Sequence, residues 1–146
     1  MLYVFFLVIQ FLVGFFILYL CLAFATGAPF VPSTNQTAQI MIKLAKIKQG
    51  QTIYDLGSGD GRLLFLAAEK GAKAVGVEIN PYLVLFTKIK ILFSNQKNNI
   101  KVSWKNFWNL NLTAADVVFI YLLPWKMDKL KFLLLRSLRP GALVVS

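Results

Sequence analysis

Asp55-Leu56-Gly57-Ser58-Gly59-Asp60-Gly61-Arg62 sets a glycine at every second position between a short apolar run, Thr52-Ile53-Tyr54, and a helical pattern. A tight turn needs only one glycine. Three of them let the backbone turn sharply and approach a ligand closely, and the helix that follows offers unpaired N–H groups at its N-terminus. Glu78 lies 23 positions beyond Asp55, at the end of a second apolar run. Carboxylates at strand ends accept hydrogen bonds from ribose hydroxyls or an amino group, so the pattern predicts a nucleotide-cofactor site. The chain has six acidic residues, and Asp55, Asp60 and Glu78 all fall in this segment or at its partner strand.

The rest of the composition divides the chain in two. The first 42 residues contain no Lys, Arg, Asp or Glu, so the whole net charge of +10 belongs to the remainder. Residues 2–25 carry one strongly polar side chain, Gln10, and as a helix they would reach roughly 36 Å, enough to cross a bilayer core of about 30 Å. Ala23-Phe24-Ala25 also fits a signal-peptidase site. Against cleavage, no basic residue precedes the apolar stretch, and the stretch exceeds the roughly 7–15 residues of a signal core. All 16 Lys and Arg lie on the C-terminal side, which predicts a single-pass membrane protein with its domain on the cytoplasmic side and the lipid bilayer as a partner. The expected organisation is an anchor over 1–25, a Pro-rich linker over 26–36 and one domain over 37–146. Cys21 is the only cysteine and there is no histidine, which excludes a disulfide, a zinc ligand set and His-based catalysis; no metal is expected. The lysines are dispersed, so nucleic acid is not the favoured partner.

Within the domain, apolar strands alternate with helical patterns. Thr37 to Ile47 predicts a helix with Ile40, Met41, Leu44 and Ala45 on one face, and Arg62 to Lys70 a second that stops at Gly71. Lys73 to Ile79 reads as a strand, Asn80-Pro81 as a helix start, Ile100 to Trp104 and Asp116 to Leu123 as further strands, and Ala142 to Ser146 as a fifth. Met127, Leu130, Leu134 and Leu138 share a face of the helix that begins at Pro124. The fold class this predicts is α/β, a doubly wound parallel sheet with right-handed crossovers whose strand ends bring Asp55, Glu78, Asn106 and Tyr121-Leu122-Leu123-Pro124 to one crevice.

The glycine spacing departs from the dinucleotide fingerprint Gly-x-Gly-x-x-Gly. It resembles the first motif of the class I S-adenosylmethionine-dependent methyltransferases, which have a Rossmann-like sheet. That resemblance implies S-adenosyl-L-methionine as cofactor, with Asp55, Gly57, Ser58, Gly59, Asp60 and Gly61 around its methionine part and Glu78 on the ribose. It also implies Asn106 at the adenine amine with Phe107 beside the ring. Asp60 reads equally as a residue answering the helix dipole, and Asn106 as a plain loop residue. Pro29-Phe30-Val31-Pro32-Ser33, Gly76-Val77-Glu78-Ile79-Asn80-Pro81 and Asp116-Val117-Val118 to Leu122-Leu123 narrow the resemblance. They are similar to the small protein-lysine methyltransferases, a family that includes archaeal enzymes and the mitochondrial enzymes that modify the adenine nucleotide translocase and the ATP synthase c-ring protein.

The resemblance thus implies a membrane-anchored protein-lysine N-methyltransferase acting on a membrane-associated protein. A lipid or quinone headgroup methyltransferase and a non-catalytic membrane module are the alternatives. A lysine amine has an unperturbed pKa of about 10.4, so its neutral form is disfavoured by roughly 4.6 kcal/mol at pH 7. An apolar mouth of Tyr121, Leu122, Leu123 and Pro124 would lower that cost, with Tyr121 a candidate for orienting the amine. Members of the class normally add two more strands after the fifth. A C-terminally truncated sheet is therefore one expectation, with an edge open to pairing with other chains.

Overall fold

The computed structural model describes residues 2–26, 33–121 and 127–146. Most of the predicted linker, together with Leu122, Leu123, Pro124 and Trp125, lies outside the described residues. The chain divides into two units, Met1–Val31 and Pro32–Ser146. The first holds helix α1, Leu2–Thr26, whose stretch Leu2–Tyr19 is long and apolar enough to cross a membrane and has none of its residues buried.

The second unit runs α2 (Asn35–Ala45), β1 (Thr52–Leu56), α3 (Arg62–Glu69), β2 (Lys73–Glu78), α4 (Pro81–Leu92), β3 (Ile100–Trp104), β4 (Val117–Ile120), α5 (Met127–Ser137) and β5 (Leu143–Val145). The five strands pair in parallel in the order β3-β2-β1-β4-β5. The chain therefore leaves β1 toward β2 on one side and returns to β4 on the other. The boundary between β1 and β4 is the switch point at which such sheets open a crevice.

Burial on both faces explains the near-continuous apolar strands. On one face Ile53, Ala74, Val102, Val117 and Phe119 pack with Met41 and Ile42 of α2, Leu64 and Ala67 of α3, and Val84 and Ile91 of α4. On the other, Leu56, Val118 and Ile120 pack with Leu112, Leu130 and Leu133. Alternate residues of β4 thus serve opposite layers.

Two local readings are corrected. Thr34 caps α2 by accepting the Thr37 N–H at 3.0 Å, so this helix begins at Asn35, inside the segment expected to be linker. Its buried face is Ala38, Met41, Ile42 and Ala45, while Ile40 and Leu44 face outward. Apolar residues lie almost all round this helix, and the small alanines let it approach its neighbours closely; periodicity alone could not choose the face. The fourth strand is also shorter than expected. Asp116 precedes it as a tie, accepting the Thr52 N–H at 2.7 Å and bonding the Arg139 guanidinium.

Candidate functional site

The loop between β1 and α3 owes its shape to its glycines. Gly57, Gly59 and Gly61 have φ of 86°, 54° and 77°, a region that costs other residues roughly 1–3 kcal/mol. The Val77 carbonyl of β2 accepts the N–H groups of both Gly57 and Ser58, at 2.8 and 3.1 Å, and the Gly61 N–H closes the turn on the Ser58 carbonyl. A Cβ at Gly57 would meet no atom within 4 Å, so this side of the loop is open. Gly61 is the opposite case. A Cβ there would lie 2.7 Å from Thr87 Cγ2.

Glu78, at the end of β2, holds this loop in place. One carboxylate oxygen accepts the buried Gly59 N–H at 2.9 Å, and the other accepts the Ile79 and Asn80 N–H groups at 2.8 Å each. Its buried charge is thus matched by three backbone donors, a strong charge-assisted arrangement. Asn80 in turn caps α4 by accepting the Tyr82 N–H, with Pro81 in the first turn, as its sequence signature predicted.

Asp55 lies one strand over and is buried without such help. Loss of water, then the negative charge of Glu78, then that of Asp60, push its carboxyl up to about 7. Every contribution favours the neutral acid, so the position is suited to a cationic ligand group. Ser58 Oγ is buried beside Gly76 with no hydrogen-bond partner among the described residues. Asp60 faces away from this problem. Its carboxylate takes the Arg62 guanidinium at 2.8 Å, which holds it below the usual carboxylate range. Arg62 also bonds the Ser33 carbonyl, joining the start of α2 to the loop.

Two residues that the sequence did not single out brace the loop from α4. Thr87 Oγ1 donates to the Gly59 carbonyl at 3.1 Å, and Lys90 Nζ donates to the Asp60 carbonyl at 2.8 Å while lying over the Phe65 and Phe86 rings. Neither belongs to a recognisable motif, because each acts through a contact about thirty positions away in sequence.

Gly61→Ala should destabilise the domain by about 2 kcal/mol, through the left-handed backbone and displacement of the Thr87 brace. Gly57→Ala should cost only about 1 kcal/mol. Denaturant titration of both variants checks this order.

The other predicted residues lie at neighbouring strand ends. Asn106 is exposed and accepts the Trp108 N–H at 3.1 Å, capping the single turn Phe107–Asn109, in which the Phe107 and Trp108 rings stack with centroids 4.7 Å apart. Tyr121 is 57% exposed and follows Ile120, whose register partner is Leu56; it therefore stands one step beyond the last β1–β4 pair, level with Gly57. A groove of about 650 Å³ between α5 and β5, lined by Leu130, Leu134, Leu138, Pro140 and Val144, includes none of the residues above. Its apolar walls lack the groups to hold a polar cofactor.

Comparison with known proteins agrees with this geometry. The ANTKMT methyltransferase domain matches residues 55–146. The human lysine N-methyltransferase of the ATP synthase c-ring protein is 32% identical over 118 residues, 81% of this chain and 50% of that protein. A protein-lysine N-methyltransferase of Saccharolobus islandicus is 33% identical over 127 residues, 86% of this chain and 79% of that protein. The crystal structure of an RNA methyltransferase from Salinibacter ruber in complex with S-adenosyl-L-homocysteine aligns with a TM-score of 0.75 at 34% identity, covering 78% of this chain and 75% of that one. The chain spans about half the length of the human protein. With a glycine loop clamped to a strand-end glutamate and this match over most of its second unit, the chain belongs to the ANTKMT methyltransferase domain family.

Proposed function

We propose that this chain is an S-adenosylmethionine-dependent protein-lysine N-methyltransferase, held at a membrane by α1 with its domain on the cytoplasmic side. The observation that carries the cofactor reading is the open, left-handed Gly57 turn beside a buried Asp55 that has only negative neighbours. The two relatives named as lysine N-methyltransferases support the choice of acceptor.

The residues fit the cofactor group by group. Asp55 would take its cationic amino group, Gly57 and Gly59 would let the backbone lie against its methionine part, and Ser58 Oγ is a spare polar atom in the same loop. Glu78 already spends both oxygens on backbone N–H groups, so its first task is to hold the loop; a ribose hydroxyl would use the remaining lone pairs. Asn106 and Phe107 would border the adenine. S-adenosylmethionine, when bound, supplies a methyl group already activated on a sulfonium. The chain's own part is therefore to position the acceptor and to favour its neutral form. Tyr121, at the end of β4 and level with Gly57, is placed to orient an entering amine, and an apolar surround there would ease its deprotonation.

A second reading has one specific support. The Salinibacter ruber protein is named as an RNA methyltransferase, and the present chain has a net charge of +10. Tritiated S-adenosylmethionine added to the full chain with native membranes and total RNA separates the readings. Label in a protein band, recovered as methyl-lysine after hydrolysis, is expected. Label confined to RNA, or to the organic phase, would replace the lysine reading with a nucleic-acid or lipid one.

A further inference from the structure

Helix α4 is apolar on two sides. Val84, Thr87 and Ile91 face the core, whereas Tyr82, Leu85, Phe86, Ile89 and Leu92 are all exposed, Leu85 by 58% and Leu92 by 71%. At 3.6 residues per turn these five occupy one outward arc of about 120°, and Lys88 and Lys90 fall on its two borders. Phe93, which ends the helix, extends the same arc and is 88% exposed. Trp104 lies at the other end of α4. Its indole N–H is satisfied by the Ile79 carbonyl at 2.8 Å, while its ring stays exposed. A water-facing surface rarely leaves so continuous an apolar stripe uncovered.

Charge points to the occupant. From Ile79 to Ala115 the chain has five lysines, Lys88, Lys90, Lys97, Lys101 and Lys105, and no acidic residue. Exposed aromatic and aliphatic side chains bordered by lysines are the pattern of a helix lying in the interface of an anionic bilayer, with the aromatic rings at headgroup level. A protein partner would have to match both the stripe and an unbroken positive border. A bilayer matches both without further specification.

We propose that the outward face of α4, together with the Trp104 ring, docks on an anionic lipid surface. The inference rests on the reading of α1 as a membrane helix, which would keep such a surface close: the eight residues 27–34 can span at most about 29 Å. Docking has a consequence for the site. Glu78 bonds the N–H of Asn80, and Asn80 caps α4, so a membrane contact on this helix sits next to the glycine loop and braces it through Thr87 and Lys90.

The full chain in vesicles provides the test. A polarity-sensitive fluorophore is placed on Leu85→Cys, Ile89→Cys or Arg136→Cys, each in a Cys21→Ser background, with Arg136 on the helix that packs against the opposite face of the sheet. In phosphatidylserine/phosphatidylcholine vesicles the Leu85 and Ile89 probes should shift to an apolar signal and be quenched by nitroxide-labelled phospholipid, and the Arg136 probe should not. Lys88→Gln should lower the docked-to-undocked ratio by roughly fivefold. Probes at Leu85 and Ile89 that stay as wet as the one at Arg136 would overturn the proposal. So would an apolar shift without lipid quenching, which would assign the face to a protein partner such as a second copy. The same fluorophore on native Cys21, in the unsubstituted chain, reports insertion of α1 separately, so failure of the anchor and failure of α4 docking give different results.

Discussion

Asp55→Asn should make the domain more stable above neutral pH while removing cofactor binding. The native chain holds the Asp55 proton up to about pH 7, whereas an unfolded chain releases it near 3.8. Between those values the folded state binds more protons, so stability falls as pH rises through the window and levels off above it. The slope approaches 1.4 kcal/mol per pH unit, and the whole loss is on the order of 4 kcal/mol. An asparagine has no charge to bury and should flatten this limb. The same carboxylate gives the opposite trend in binding. A cationic amino group favours ionised Asp55, so wild-type affinity for S-adenosylmethionine should rise from pH 6 to pH 8, and the variant should bind poorly throughout. Denaturant melts and binding titrations at three pH values check both; a wild-type stability that is flat from pH 4.5 to 7 would contradict the account.

Glu78→Ala is expected to lose both fold stability and binding. It removes a buried acceptor from three N–H groups, of which that of Gly59 is buried and the others only partly so. Charge-assisted bonds of this kind contribute about 1.5–3 kcal/mol each, but the half-exposed donors can turn to water, so a net loss of about 3 kcal/mol follows. In thermal melts this is a fall in Tm of roughly 10 °C. Glu78→Gln should fall between the two, since it keeps one acceptor oxygen but points an amide N–H toward a backbone donor. Thermal denaturation of the three proteins is the measurement. An alanine variant as stable as wild type would mean that the loop is not held by Glu78.

The site residues in this picture were legible to different degrees. The three glycines stood out because no other residue takes their left-handed backbone cheaply, and Asn80-Pro81 because capping is a local bond between neighbours. The parallel sheet followed from apolar runs too short for helices and too continuous for half-exposed strands. What the sequence hid was tertiary. That Glu78 spends its oxygens on Gly59, Ile79 and Asn80 depends on β2 ending beside the loop, and the Thr87 and Lys90 braces depend on the packing of α4 against it. The Asp60–Arg62 pair was hidden differently: both residues were visible, but their role turned on a rotamer. In α2 the apolar residues surround the helix, so the choice of Ala38 over Ile40 for the core was made by close packing and not by period.

Calorimetric titration of the full chain with S-adenosyl-L-homocysteine at pH 8 tests the central claim, that the Gly57–Gly61 loop between Asp55 and Glu78 is the cofactor cradle. One molecule should bind per chain. Gly57→Ala, which leaves the fold nearly as stable as wild type, should weaken binding on the order of 100-fold by filling the open side of the turn. Wild-type affinity in a folded Gly57→Ala chain would contradict the account.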